Sequence, residues 1–484
     1  MSATPSPASA VSLVSPRSTP AEAGKSCPVP FLCLFAGAVA WLFAAALLGL
    51  IASLKFHNPA FLAGQPWWTY GRVHAAGSAA FLYGFAVPAA LGVGLWLLCR
   101  LGRARLAGPS VVLLGGILWN LAAAVGVAAI LGGESTGYDS FEMPAYCAPM
   151  LFAAYGMIGV CGLLTFHQRR EGGLYPSQWF VLGSIFWFPW IFSTAALLLL
   201  VTPERGVLQA LTAWWYAHNL STVFLGFAGL APVFYFIPKL VGRPLHSYYL
   251  AALAFWTLAL FGSWGGIPGG APLPSWMTSL GVVGTVVTAV PLLAVAANLF
   301  QTVRHDLHKL DANPTLRFTY VALVFWIIAG AQQIVGVLPG VSAITGLTWF
   351  GVAQQELFRW GFFALAVFGA LYHIVPRLLD LEESAWCPRL LKAHFYLTFL
   401  GILISYLCLL VCGIGQGVLL ADPRHTFPEV MKSSMLPLRV STMGDFFVAF
   451  GTIAFLLNFA RILTRPCRCC CGAACAASKP REGA

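Results

Sequence analysis

Trp214-Trp215-Tyr216-Ala217-His218-Asn219 opens a long apolar run that closes at Phe236-Ile237-Pro238-Lys239. A run of this length crosses a hydrocarbon core of ~30 Å as helix, so it reads as a transmembrane segment with an imidazole and an amide inside it. An ionisable side chain at membrane depth costs several kcal/mol near the middle of a span, and by default it marks a functional site.

Similar runs recur on both sides of this one. The 484 residues are 59% hydrophobic and 9% charged, with a mean hydropathy of +0.80, whereas a soluble domain carries roughly 25% charged residues. The fold class is therefore all-α, a polytopic membrane protein with twelve predicted transmembrane helices. They cover 31–54, 73–99, 109–131, 145–165, 179–201, 215–237, 249–264, 276–299, 316–337, 347–374, 395–412 and 439–458, inside a membrane domain of residues 29–463.

Residues 1–28, rich in Ser, Pro and Ala, read as a disordered cytoplasmic tail. Residues 464–484 form a Cys-rich cytoplasmic tail with Cys467, Cys469, Cys470, Cys471 and Cys475. That spacing is too irregular for a good metal site and suits reduced thiols, with juxtamembrane lipidation or adventitious metal binding as the alternatives.

The net charge of +11 comes from short basic patches between the apolar runs, a pattern of membrane topology and not of nucleic-acid binding. Arg100, Arg103 and Arg105 follow the second span, Arg169 and Arg170 the fourth, and Lys239 and Arg243 the sixth, and the later even-numbered spans continue the series. Acidic residues, Glu134, Asp139 and Glu142, follow the third. The positive-inside bias places both termini in the cytoplasm. His74, His218 and the cluster Gln354, Gln355, Glu356 and Arg359 then fall in the outer parts of the second, sixth and tenth spans. The end of the seventh, Ser263 to Gly270, reaches the same depth.

Several stretches resemble subunit I of the haem-copper oxidases, and within them the cbb(3)-type cytochrome c oxidases. They are Tyr70-Gly71-Arg72-Val73-His74, Trp214 to Asn219, Tyr235 to Lys239 with Gly242-Arg243-Pro244, Leu273-Pro274-Ser275-Trp276, Pro376-Arg377-Leu378 and Gly413-Ile414-Gly415-Gln416-Gly417. The resemblance implies a prokaryotic inner membrane location and a role in aerobic respiration. It also implies partners among other respiratory subunits, such as cytochrome c subunits or a complete homologue, besides membrane lipid. At the place of His74 the family has an axial ligand of a low-spin haem, and at the place of His218 a ligand of the copper that faces a second haem.

The sequence departs from that pattern elsewhere. Where the family has two adjacent copper-ligating histidines, this chain reads Ser263-Trp264-Gly265-Gly266-Ile267-Pro268. Where it has His-x-His, the positions fall on Gln354 and Glu356. Glutamine is a poor haem-iron ligand and a carboxylate an unusual one. The remaining set leaves a place for one haem b, through His74, and argues against copper at His218. Glu356 and Arg359 are spaced to pair on one helical face, and Arg439, just before the last span, and Asp445, near its outer end, are placed to pair with each other or, with a haem bound, with its propionates.

Three functions follow. The first is a respiratory membrane subunit derived from the oxidase subunit and unable to reduce oxygen alone. The second is a working oxidase with altered ligation, which would couple electron transfer from cytochrome c to oxygen reduction and proton translocation. The third is a non-redox transporter or scaffold on the same fold.

Overall fold

The computed structural model describes residues 28–477, with side chains described as far as Thr464; the N-terminal tail and residues 478–484 lie outside the described residues. The long helices, in chain order, are α1 (Pro28–Leu54), α2 (Tyr70–Gly102), α3 (Pro109–Gly132), α4 (Ala145–His167), α5 (Pro176–Val201) and α6 (Val207–Val241). There follow α7 (Tyr248–Gly262), α8 (Ser275–Val303), α9 (Pro314–Gly336), α10 (Trp349–Leu378), α11 (Pro388–Ala421) and α12 (Phe427–Ala477).

Their boundaries follow local chemistry. Proline opens α3, α5, α9 and α11, at the position where its missing N–H costs nothing and its fixed φ suits a helix. Asn313 caps α9 by accepting from the Leu316 N–H at 3.0 Å. Gly133 at φ 108° and Gly242 at φ 79° end α3 and α6 in the left-handed region.

Eleven of the described helices are long and apolar enough to cross a membrane. The twelfth expected span corresponds to α7, which has only 15 residues and is about 22 Å long. Its chain continues as the non-helical Trp264 to Gly270, because a Gly-Gly and a Gly-Gly-Ala segment around Pro268 disfavour helix. The last helix also begins earlier than the sequence suggests, at Phe427 instead of Arg439, and runs through the start of the Cys-rich segment to Ala477.

Three helices form the centre. The most apolar stretches of α2, α6 and α10 are 100%, 94% and 94% buried, whereas those of the other long helices are 39–50% buried. Each of the three also loosens into a π-helical stretch, over Ala80–Ala86, Asn219–Leu225 and Leu357–Ala364. A π turn adds a residue to the turn and re-aims the side chains beside it, and such turns concentrate at functional sites. His218 and Glu356 stand immediately before two of them, and His74 stands six residues before the third.

Candidate functional site

The ends at which α2 and α10 begin face a cavity between α1, α2, α10, α11 and α12, with about 1080 Å³ of empty space counting its mouth. Aromatic walls come from Phe56, Tyr70, Phe81, Trp349 and Trp360, and besides serines the polar groups are His74, Glu356, Arg359 and Asp445. The structure thus brings four of the residues singled out in the sequence, His74, Glu356, Arg359 and Asp445, to one place. The His74 ring lies parallel to that of Tyr70, with centroids 5.4 Å apart and 7° between planes. Among the described residues neither of its nitrogens makes a hydrogen bond, so the imidazole is held by stacking with a lone pair to offer.

Two expected ion pairs are not made. Arg359 does not bridge to Glu356; its Nη2 donates to Ser140 Oγ at 2.8 Å, and its buried Nε has no partner among the described residues. Spacing of three residues allows pairing, but Ser140 offers the guanidinium a closer, buried acceptor from the α3–α4 loop. Arg439 does not pair with Asp445 either. Its Nε donates to the Phe56 carbonyl at 2.9 Å, while Asp445 Oδ1 accepts from Ser405 Oγ at 3.4 Å. With both residues inside α12, six positions put them on different faces of the helix.

The α3–α4 loop acts as a plug in the mouth of the bundle. Ser140, Phe141, Glu142 and Met143 are all buried, and Ser140 takes a positive φ of 62° to turn the chain inward. Tyr83 Oη donates to the Ser140 carbonyl at 2.9 Å and lies 2.9 Å from Tyr216 Oη, so the plug is tied to α2 and, through it, to α6. Glu142 Oε1 accepts from the Ser140 N–H at 3.2 Å. Burial, helped by the nearby charge of Asp139, pushes the Glu142 carboxyl up to about 7.

His218 belongs to a different cluster, between α6, α7 and α9. Its Nδ1 lies 3.2 Å from Gln333 Nε2 and its Nε2 lies 2.8 Å from the Gly262 carbonyl. A carboxamide NH₂ can only donate, so Nδ1 is the acceptor, and Nε2 must carry the proton that it gives to Gly262. The Gln333 amide also donates to Thr222 Oγ1 at 3.1 Å. Asn219 completes the cluster, donating to Ser263 O at 3.0 Å and accepting from Trp187 Nε1 at 3.1 Å.

The chain after α7 lies against the same imidazole. A Cβ on Gly265 would stand 2.5 Å from His218 Nε2, and one on Gly266 would collide with His218 Cβ. Gly266 also has φ 90°, a conformation that L side chains rarely adopt.

Gln354 is half-buried and absent from the lining of the His74 cavity. Two helical residues sit about 200° apart around the axis, so Gln354 and Glu356 face opposite sides of α10. The interior between α6, α9 and α10 is filled by rings. Phe362 packs onto Gly229, where a Cβ would stand 2.5 Å from it, and it has ring neighbours in Phe358 at 5.1 Å and Trp326 at 6.0 Å.

Sequence reasoning missed Gln333, although Gln332-Gln333 inside an apolar run carries the same signal of a polar pair at membrane depth. It also missed His394, which is wholly buried with Nδ1 2.9 Å from Tyr372 Oη. Ser140 had no such signal, because nothing local in a polar loop says that it dips into the bundle.

A bundle of apolar helices around three buried ones, with ionisable groups gathered at one end, defines an integral membrane protein with an interior site. The chain belongs to the Cytochrome C and Quinol oxidase polypeptide I family of the haem-copper oxidase superfamily, whose sequence model matches residues 30–447. It is 27% identical over 449 residues to a cytochrome c oxidase subunit 1 homolog of Azorhizobium caulinodans, covering 88% of this chain and 80% of that protein. It is 26% identical over 393 residues to the Cbb3-type cytochrome c oxidase subunit CcoN1 of Stutzerimonas stutzeri, covering 79% and 82%. With cytochrome c oxidase subunit 1 of Rhodobacter capsulatus the identity is 26% over 404 residues, covering 78% and 74%. These relatives bear out the cbb(3)-like resemblance.

Proposed function

We propose that this chain is a membrane subunit of a respiratory complex, built on the oxidase subunit I architecture, that binds one haem b at His74 and does not form the oxygen-reducing copper–haem centre. The observation that carries this reading is the state of His218. Both of its ring nitrogens are engaged by protein, in a tautomer with no lone pair left for a metal. The glycine backbone of residues 265–266 packs directly on it. Among the described residues no three His, Cys, Asp or Glu side chains gather closely enough to hold a metal ion. The residues present therefore do not fit copper, and the ring-filled interior between α6, α9 and α10 does not fit a second haem.

The His74 cavity fits a haem better. It offers an unengaged imidazole, aromatic walls for a flat apolar ring, and a buried guanidinium with an unused N–H for an acidic substituent. A haem bound there would supply one-electron transfer. His74 would hold the iron, Tyr70 would orient the imidazole by stacking, and Arg359 would neutralise a carboxylate. Glu356 on the same wall stands where the family places its second axial histidine. The loop charges support an orientation with this cavity on the outer side and both termini in the cytoplasm. Cytochrome c subunits or a complete homologue are the partners that such a subunit requires.

A reduced-minus-oxidised optical spectrum with copper analysis on the purified chain tests the proposal. The expected result is one b-type haem per chain, lost in His74→Ala, and no stoichiometric copper. Two haems with one copper would restore the working oxidase. No haem at all would leave a scaffold or transporter.

A further inference from the structure

At the opposite end of the bundle, the termini of α2, α5, α6 and α7 surround a groove that nothing above uses. It consists of two adjoining open clefts, with about 890 and 690 Å³ of empty space counting the solvent in their mouths, that share Leu101, Tyr175, Tyr235 and Tyr248 on their walls. Its cations are Arg100 and Arg103 from the end of α2, and Lys239 and Arg243 from the end of α6, against one lining carboxylate, Glu171. Because helix ends form the walls, the groove lies at the level where a bilayer's headgroups meet its hydrocarbon.

The internal pairing is incomplete. Arg103 Nε bonds Glu171 at 2.8 Å, with both side chains about half exposed. Arg243 shares Asp306 with Lys309, at 2.5 and 2.9 Å. The bond from Lys309, joined by that from Arg243, holds the Asp306 carboxyl below its ordinary range, so it stays ionised and counts once. Lys239 Nζ donates to Tyr235 Oη at 2.6 Å and lies over that ring, 4.6 Å from its centroid, and among the described residues no carboxylate meets it. Arg103, Lys239, Arg243 and Lys309, in and beside the groove, thus face two carboxylates, Glu171 and Asp306. Tyr248 is about half exposed at the edge and Tyr249 beside it is 89% exposed, the placing of tyrosines that anchor at a membrane interface.

We propose that this groove binds the headgroup of an acidic phospholipid, with its phosphate between Arg103, Lys239 and Arg243 and its glycerol end against Leu101 and Tyr235. Basic pockets between helix ends, apolar on the membrane side and net positive on the water side, recognise such headgroups. A free inorganic anion would use the charges but leave the tyrosine and leucine walls uncovered. Binding of the lipid would tie the ends of α2 and α6, the two helices that carry His74 and His218, to their neighbours.

The test is native mass spectrometry of the full chain, purified in mild detergent and incubated with phosphatidylglycerol, with phosphatidylcholine, or with inorganic phosphate. The expected result is a one-lipid adduct with phosphatidylglycerol that phosphatidylcholine does not form, that phosphate at equal concentration does not displace, and that weakens as salt is raised. The double variant Lys239→Gln, Arg103→Gln should lose that adduct by roughly 30-fold in affinity in low salt. The wild-type salt dependence is a second readout that needs no variant. Equal adducts with both lipids, displacement by phosphate, or an adduct unchanged by salt and by the substitutions would overturn the proposal.

Discussion

Replacing Glu142 by glutamine gives the sharpest test of the plugged mouth. The carboxyl is buried and raised from its ordinary 4.5 to about 7 in the folded chain, which corresponds to about 3 kcal/mol. The folded state therefore binds the proton more tightly than the unfolded state does. Below about pH 4.5 both states are protonated and nothing is lost. Between 4.5 and 7 only the unfolded state ionises, so stability falls as pH rises, and above 7 the loss is complete. Glutamine keeps an oxygen for the Ser140 N–H but cannot ionise.

Glu142→Gln should therefore match wild type at pH 4 and exceed it by up to about 3 kcal/mol at pH 8, or roughly 3 °C in midpoint for a chain of this size. Thermal unfolding in detergent, followed by intrinsic tryptophan fluorescence, reads this across the pH range, because Trp119 is fully buried. A variant with the wild-type pH slope, or one less stable than wild type at pH 8, would refute the reasoning. Either result would mean that the carboxylate is solvated or paired in the folded chain.

Two further outcomes can be measured the same way. Gly266→Ala should destabilise the chain by about 2 kcal/mol or more, since it places a side chain at φ 90° and against His218; an unchanged melting curve would mean that the segment after α7 does not pack on the imidazole. Glu383 lies 2.8 Å from His373 Nδ1 and 2.5 Å from Arg377 Nη1. Burial pushes its carboxyl up, but those two contacts outweigh it and pull it down to about 2. Its stabilisation is then present above about pH 4.5 and lost as pH falls toward 2, and because the side chain is over a third exposed it amounts to no more than about 1 kcal/mol. Glu383→Gln should remove that acid-side slope and lower stability by up to about 1 kcal/mol uniformly across pH 6–8, as titration curves of the midpoint would reveal.

Much of the site was legible in the chain itself. A histidine inside a run of lipid-compatible residues is conspicuous because the bilayer has no water to solvate it, and His74, His218, Glu356 and Arg359 all declared themselves that way. The pairings among them did not. Helical spacing nominated Glu356 for Arg359, and nearness in the sequence nominated Arg439 for Asp445, but a guanidinium bonds whichever acceptor the fold brings nearest. Those acceptors, Ser140 and the Phe56 carbonyl, come from loops more than two hundred residues away in sequence.

The sequence by itself determined the order of the apolar segments and that each is helical, because in lipid each must satisfy its own backbone as helix, but it counted twelve spans where eleven of the described helices are long enough to cross. It also determined which segments carry ionisable groups. It did not determine which helices sit at the centre. By hydropathy α10, at 1.5, is the least apolar of the long helices and α11, at 2.5, the most, yet α10 is 94% buried and α11 39%. A helix facing lipid must be apolar on the outside, whereas one wrapped by other helices can keep polar groups as long as its neighbours bond them. Which neighbours those are is a property of the packed bundle, and it alone engages both nitrogens of His218 while leaving those of His74 open to a cavity.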